Sequence, residues 1–134
     1  MANMVANFIE REVSNFAFSD SWLGGTMLFV AGPRQCGKTS LAREFLSEVN
    51  CESLYYNWDS EKIRRTYRHD PEFFLKDASR LNMKMPYVVF DEIHKLSRWK
   101  NILKGIYDEF HESIRIIVTG SARLDLLRRG GDSL

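Results

Sequence analysis

The chain has 134 residues, of which 44% are hydrophobic, 13% aromatic and 28% charged. This length favours one domain with its own hydrophobic core, and the composition excludes disordered, collagen-like and mucin-like chains. The 19 basic and 18 acidic side chains leave a net charge of +1. Such a balance provides no bulk electrostatic attraction to nucleic acids or membranes, although a local patch remains compatible with it.

The first half of the chain predicts a helix, a strand, a helix and a strand. Apolar residues from Met4 to Phe16 follow a helical spacing, so we expect residues 1–25 to form a helical lead-in. Residues 27–31 are a continuous apolar run, as in a strand buried on both faces. A helix is expected from about Lys38 to Val49 and a second strand at residues 54–56.

The second half continues the alternation. A short basic helix is expected at residues 61–69, and Asp70 and Pro71 suit the N-cap and first position of the next helix. Apolar runs at residues 87–90 and 114–118 predict two more strands. Between them, Ser97 is the expected N-cap of a helix that carries an apolar stripe from Trp99 to Phe110. Apolar strands alternating with helices indicate an α/β fold around a parallel sheet.

The segment after the first strand matches the phosphate-loop pattern G-x-x-x-x-G-K-[ST] in full, between a strand and a helix. Its backbone N–H groups and the helix N-terminus are suited to binding phosphate. We expect Lys38 to contact the β- and γ-phosphates and Thr39 to bind Mg²⁺. The alternative is a chance glycine-rich turn. The expected nucleotide-binding residues are Gly32, Pro33, Arg34, Gln35, Cys36, Gly37, Lys38, Thr39 and Ser40.

Polar side chains follow two of the later strands. Asp91 and Glu92 directly follow the third strand, at the sheet edge where ligands bind in open α/β folds. Asp91 is a candidate for holding Mg²⁺, and Glu92 for activating water as a general base. Alternatively, Glu92 is a solvated helix start. Thr119 and Ser121 follow the fourth strand, where either could hold the attacking water or the γ-phosphate, or simply form a turn.

Together, GPRQCGKT, YVVFDEIHKL and IIVTGSARLDLLRRGGDSL resemble the AAA+-like predicted ATPases of bacteria and archaea, over almost the whole chain. The resemblance implies a P-loop NTPase three-layer sandwich of the additional-strand, catalytic-Glu type, with sheet order 5-1-4-3-2. It makes Lys38 and Thr39 the Walker A pair and Asp91 and Glu92 the Walker B pair. Ser121 or Thr119 would be the sensor.

The same resemblance implies that residues 1–134 are most of an ATPase core. The fifth strand, the lid and the C-terminal domains of the family would follow Leu134, so we expect a truncated core with an exposed first strand. A second copy of the chain, or its own N-terminal segment, could cover that edge. Partners reached through the absent domains include nucleic acid or protein. Arginine-finger candidates are Arg123, Arg128 and Arg129.

Two further features have competing interpretations. Asp91 to His94 also resembles the DExH box of helicases, in which His94 relays to nucleotide or partner; a loop position is the simpler interpretation. Five basic residues, namely Lys62, Arg64, Arg65, Arg68 and His69, form either a solvated face or a partner surface.

The sequence therefore predicts a cytoplasmic ATPase that uses ATP and Mg²⁺ and yields ADP and phosphate. Two cysteines are too few for a disulfide scaffold, and the sequence has neither a signal peptide nor an apolar run of the ~20 residues that span a membrane. A nucleotide-binding module with negligible turnover is the alternative. A kinase for a small acceptor is a third.

Overall fold

A computed structural model describes residues 17–18, 27–31 and 38–120 of the chain. Within these residues the strands are β1 (Ala17–Phe18), β2 (Met27–Ala31), β3 (Tyr55–Asn57), β4 (Tyr87–Asp91) and β5 (Arg115–Gly120). The helices are α1 (Lys38–Glu48), α2 (Glu61–His69), α3 (Phe73–Ser79) and α4 (Trp99–Phe110), and short 3₁₀ helices cover Glu52–Leu54 and Ile93–Lys95.

The strands form one sheet in the order β1-β2-β5-β4-β3. The pairs β2–β5, β5–β4 and β4–β3 are parallel, as strands joined by crossover helices must be. The register places Asp91 beside Asn57 on one side and beside Thr119 on the other. The carboxyl ends of three neighbouring strands therefore meet around Asp91.

Helices pack on both faces of this sheet. The rings of Phe45 in α1 and Tyr87 in β4 lie 5.1 Å apart, centroid to centroid. Phe74 in α3 contacts Phe90 at 5.2 Å and Phe110 in α4 at 6.4 Å. Because side chains alternate along a strand, Tyr87 and Phe90 point to opposite faces of β4. The fold is therefore an α/β sandwich of three layers, with α1 on one face and α3 and α4 on the other.

Burial on both faces explains why β4 reads as a continuous apolar run. All five residues of β4 are buried, and Val88, Val89 and Phe90 have no exposed surface. The α1 helix contributes an amphipathic stripe to the same core, through Ala42, Phe45, Leu46 and Val49. This packing fixes the direction in which β4 delivers Asp91 to the edge of the sheet.

One edge of the sheet differs from the expectation of an exposed first strand. The strand β1 pairs antiparallel with β2, with Ala17 opposite Ala31 and Phe18 opposite Val30. The outer edge of β2 is therefore paired, over these positions, by the N-terminal part of the same chain. Pairing satisfies backbone groups that an edge strand would otherwise present to other chains. The helical lead-in predicted for residues 1–25 contains this strand at Ala17–Phe18, which is not helical. The rest of the predicted lead-in, and residues 121–134, lie outside the described part of the chain.

Two helix starts were predicted wrongly. The N-cap of α4 is Arg98, in the left-handed region at φ 62°, rather than Ser97. Asp70 ends α2, and α3 starts only at Phe73. Asp70 instead accepts a hydrogen bond from the Glu72 backbone N–H (3.2 Å), which is a turn that an Asp favours as strongly as an N-cap.

The helices of the described ranges include none that is both long and apolar enough to cross a membrane.

Candidate functional site

The carboxylate of Asp91 lies at the centre of the candidate site and has no exposed surface. Burial of a carboxylate is costly unless hydrogen bonds replace its water. Three hydroxyl groups supply them. Thr39 Oγ1 and Tyr55 Oη donate to Asp91 Oδ2, at 2.8 and 2.5 Å, and Thr119 Oγ1 donates to Oδ1 at 2.8 Å. The carboxylate is therefore held in one orientation by donors from three different elements.

The sheet and α1 bring these donors together from distant parts of the sequence. Thr39 lies in the first turn of α1, Tyr55 at the start of β3, and Thr119 near the end of β5. Tyr55 and Asp91 share a face because Tyr55 pairs with Val89, two positions before Asp91. That face is the one on which α1 packs, so the hydroxyl of Thr39 can reach the end of β4.

Backbone hydrogen bonds fix Asp91 on both sides as well. The Trp58 N–H donates to the Asp91 carbonyl at 2.7 Å, and the Glu92 N–H donates to the Thr119 carbonyl at 2.9 Å. These contacts continue the β3–β4 and β4–β5 pairing past the last residue of β4. The site consequently has a rigid backbone frame.

Tyr55 is a site residue that the sequence analysis missed, since it was placed only in a predicted strand. Its pKa is raised, first by burial and then by the hydrogen bond to Asp91, so the phenol keeps its proton and acts as a donor. The Arg43 guanidinium lies 4.1 Å from the centre of its ring, a cation–π contact that holds the ring. The register of β3 against β4, which the sequence does not show, is what places Tyr55 on the face of Asp91.

Glu92 follows Asp91 in a left-handed backbone conformation, at φ 61° and ψ 36°. This conformation is uncommon for residues other than Gly, Asn and Asp, and strained backbone of this kind concentrates at functional sites. His94 Nε2 lies 3.3 Å from Glu92 Oε1, and the two side chains are 9% and 15% exposed, respectively. His94 belongs to the 3₁₀ helix after β4 and contacts Glu92 within the same segment.

An AAA domain family model matches residues 25–134. The chain belongs to the AAA domain family. It is also 26% identical over 145 aligned residues to a uridine kinase of Schizosaccharomyces pombe, an alignment that covers 87% of this chain and 32% of that protein. The chain thus spans about a third of the length of this curated relative. No solved structure matches it significantly.

Membership in this family agrees with the parallel sheet and with the position of Thr39 beside Asp91. In a P-loop nucleotide-binding domain, the Ser or Thr of the phosphate loop and the acidic residue at the end of a neighbouring strand act on the same metal ion. In this AAA domain, Thr39 Oγ1 donates a 2.8 Å hydrogen bond to the Asp91 carboxylate. The domain is therefore of the AAA-type, nucleotide-binding P-loop class.

Some predicted site residues lie outside the described part of this AAA domain. They are Gly32, Pro33, Arg34, Gln35, Cys36, Gly37, Ser121 and the arginine-finger candidates Arg123, Arg128 and Arg129. Lys38 is the first residue of α1, and Ser40 is exposed in its first turn. Thr119 is 3% exposed with its hydroxyl on Asp91, which gives it a contact that the sensor prediction did not include.

The donor set at Asp91 fits Mg²⁺. A hydroxyl and a carboxylate are hard oxygen ligands, and Mg²⁺ is bound in such sites through one or two protein oxygens together with phosphate oxygens and water. Within residues 39–120, no three His, Cys, Asp or Glu side chains are grouped as a protein-only metal site would require. Thr39 and Asp91 provide two oxygen atoms of the kind that Mg²⁺ prefers.

The basic cluster on α2 is partly engaged within the AAA domain itself. Arg64 and Arg68 pair with Glu61 at 3.0 and 3.1 Å, and Arg64 also donates to the Trp58 carbonyl at 2.7 Å. Lys62 and Arg65 are exposed. Because the pairs are local and exposed, each contributes little to stability, but they direct two of the guanidinium groups along the helix rather than outward.

Proposed function

We propose that this AAA domain binds ATP with Mg²⁺ and hydrolyses it to ADP and phosphate. The observation that supports the proposal most directly is the hydrogen bond from Thr39 Oγ1 to Asp91 Oδ2. It places the phosphate-loop hydroxyl and a buried carboxylate side by side at the edge of the sheet where ligands bind in this fold class. Glu92 is the next residue, in a backbone conformation that turns the chain away from the strand direction.

Each residue has one role in the proposed reaction. The phosphate-loop residues 32–37 and Lys38 bind and orient the triphosphate. Thr39 and Asp91 would hold Mg²⁺, which when bound neutralises charge on the β- and γ-phosphates. Glu92 accepts a proton from water as the water oxygen attacks the γ-phosphorus, and the bond to the β-phosphate oxygen breaks to release ADP. Thr119 orients Asp91 through its 2.8 Å hydrogen bond.

His94 positions the proposed general base. Its Nε2 lies 3.3 Å from Glu92 Oε1, within a nearly buried pair. A carboxylate held in this way has fewer rotamers to search before it meets the attacking water. The role differs from the relay of a DExH-box helicase because the contact is with the base itself.

Steady-state phosphate release from ATP tests the proposal. The wild-type domain should turn over ATP only when Mg²⁺ is present, and Glu92→Gln should lower turnover by about 100-fold or more while keeping ATP affinity, since it removes the base alone. Lys38→Ala should lose ATP binding. Glu92→Gln purified in the same way controls for contaminating ATPases.

The alternative function is a nucleotide-binding module with negligible turnover. It predicts that the wild-type domain and Glu92→Gln bind ATP equally and release phosphate equally slowly. This result would leave nucleotide binding in place and remove hydrolysis from the proposal. A cycle that needs a partner copy, or an arginine such as Arg123 from a neighbour, would then show turnover that rises with protein concentration.

Similarity to a uridine kinase supports a second candidate, transfer of the γ-phosphoryl group to a nucleoside hydroxyl. A kinase forms ADP only when its acceptor is present, whereas an ATPase releases phosphate without one. Uridine added to the ATP reaction therefore separates the two, with uridine monophosphate as the product that supports the kinase. We propose that partners of the domain determine what the reaction drives, which is either a conformational change or a task on nucleic acid.

A further inference from the structure

Two hydroxyl groups converge on one oxygen of Asp91. Thr39 Oγ1 and Tyr55 Oη both donate to Oδ2, at 2.8 and 2.5 Å, while Thr119 donates to Oδ1. A carboxylate oxygen offers two lone pairs in its plane, so both acceptor positions of Oδ2 are filled. The acceptor position left by these three bonds is on Oδ1, the oxygen that Thr119 of β5 contacts, whereas Oδ2 is the oxygen that Thr39 contacts.

This arrangement has a consequence for metal binding. A threonine hydroxyl can bind Mg²⁺ through its oxygen and still donate its proton to Asp91, so the Thr39 bond is compatible with a metal ion. Mg²⁺ keeps several of its water ligands in such sites. Each of these water molecules donates hydrogen bonds, so it needs an acceptor nearby. Asp91 Oδ2 is the acceptor that Thr39 contacts, and Tyr55 fills its second acceptor position.

We propose that Tyr55 is a latch on the metal site: its hydroxyl takes, on Asp91 Oδ2, the place of a metal-bound water and must leave when a magnesium nucleotide binds. The latch rests on the proposed function, since it concerns the same Asp91. It makes Tyr55 a positioning residue, which acts on the metal through Asp91. Metal affinity is then set by the difference between the water and phenol hydrogen bonds to one oxygen.

The surroundings of Tyr55 suit such a latch. The ring is half-buried and lies against the Arg43 guanidinium at 4.1 Å, so the phenol has an aromatic contact that does not depend on its hydroxyl. Both Arg43 and Thr39 belong to α1 and Tyr55 belongs to β3.

The test compares Tyr55→Phe with Tyr56→Phe as a matched control. Tyr55→Phe keeps the ring and removes the hydroxyl from Asp91. Tyr56 lies next to it in β3, on the opposite face, and its hydroxyl bonds to Asp77 at 2.7 Å. The measurement is the affinity for a non-hydrolysable ATP analogue, first in EDTA and then as Mg²⁺ is titrated.

In Tyr55→Phe, the Mg²⁺ concentration that gives half of the full increase in affinity for the ATP analogue should be lower by roughly 3- to 10-fold. This factor corresponds to the net contribution of one hydrogen bond. The affinity of Tyr55→Phe in EDTA should equal that of the wild-type domain, and Tyr56→Phe should match the wild type in both conditions. An equal or higher Mg²⁺ requirement in Tyr55→Phe overturns the latch. A wild-type domain that binds no nucleotide overturns the proposed function instead, so the two failures are distinct.

A second measurement covers the case in which Tyr55→Phe does not fold. Tyrosine ultraviolet absorption shifts when a phenol loses a hydrogen bond to a carboxylate. Adding Mg²⁺ to the wild-type domain with the ATP analogue should produce that difference spectrum, and adding Mg²⁺ without nucleotide should not. A bound magnesium nucleotide with no tyrosine difference spectrum would also overturn the latch.

Discussion

Thr39 and Asp91 are joined by a 2.8 Å hydrogen bond although they lie 52 positions apart in the sequence. The bond connects the first turn of α1 to the end of β4, and it satisfies a carboxylate that has no exposed surface. It is thus a structural contact as well as part of the proposed metal site.

Replacing Thr39 measures how much its hydrogen bond to Asp91 contributes to the stability of the folded domain. Thr39→Ala removes one donor from Asp91, so we expect the free energy of unfolding to fall by about 1 kcal/mol. Thr39→Ser keeps the hydroxyl and should stay within about 0.5 kcal/mol of the wild-type value. Urea denaturation measures both, without nucleotide. Equal stability of the two variants would mean that the hydrogen bond contributes nothing to the folded domain.

Thr119 supports the other oxygen of Asp91. Thr119→Val keeps the shape of the side chain and leaves Asp91 Oδ1 without this donor, in a site where Thr119 is 3% exposed. We expect a loss of about 1–3 kcal/mol in unfolding free energy, because the carboxylate stays desolvated. Thr119→Ser is the control and should lose less than half as much. A valine variant as stable as the serine variant would contradict the assigned contact.

Because the backbone at Glu92 is left-handed, we expect an unusual order of stability among variants at this position. Glycine adopts φ 61° without steric cost, whereas alanine does not, so Glu92→Gly should be more stable than Glu92→Ala by about 1 kcal/mol. In an ordinary turn or helix the order would be reversed or absent. Thermal denaturation of the two variants decides it. Both lack the carboxylate, so both should be equally deficient in ATP turnover.

Tyr56 should make the domain lose stability in alkali. Burial raises its pKa, and its hydrogen bond to Asp77 raises it further, whereas an unfolded tyrosine ionises near pH ~10. Below pH ~10 both states keep the proton and the full stability is present. Above it the unfolded state loses the proton first, so the free energy of unfolding falls by up to ~1.4 kcal/mol per pH unit from this group.

Urea titrations at several pH values between about 8 and 11 measure that slope. Tyr56→Phe should reduce the slope by the contribution of about one proton. The remainder of the slope belongs to other tyrosines whose pKa is raised, Tyr55 among them. An unchanged slope in Tyr56→Phe would show that its hydroxyl does not carry the alkaline sensitivity.

The sequence predicts most of the fold because the signals are strong and local. The apolar run of β4 and the stripe on α4 reflect burial on both faces of a strand and on one face of a helix, and both elements lie where expected. The position of Asp91 at the end of a buried strand was predictable for the same reason, and its role in a site stays a prediction.

The missed features depend on tertiary contacts. No local pattern distinguishes Tyr55, whose hydroxyl reaches Asp91, from Tyr56, whose hydroxyl reaches Asp77; only the register of β3 against β4 does so. The pairing of β1 with β2 rests on two positions of backbone contact, too short for a periodic signal. The N-cap position of Arg98 was not predicted because nothing in an arginine side chain indicates a positive φ.

The assembly of donors around Asp91 also bears on how the domain folds. The contacts draw on positions 39, 55, 91 and 119, so no fragment with only one or two of the contributing elements contains the complete arrangement. Contacts between distant positions form late, because the chain entropy of closing the intervening loops must be overcome first. A ligand that binds at Asp91 would therefore bind and stabilise the folded domain, and the number of binding sites per chain would report the folded fraction of a sample.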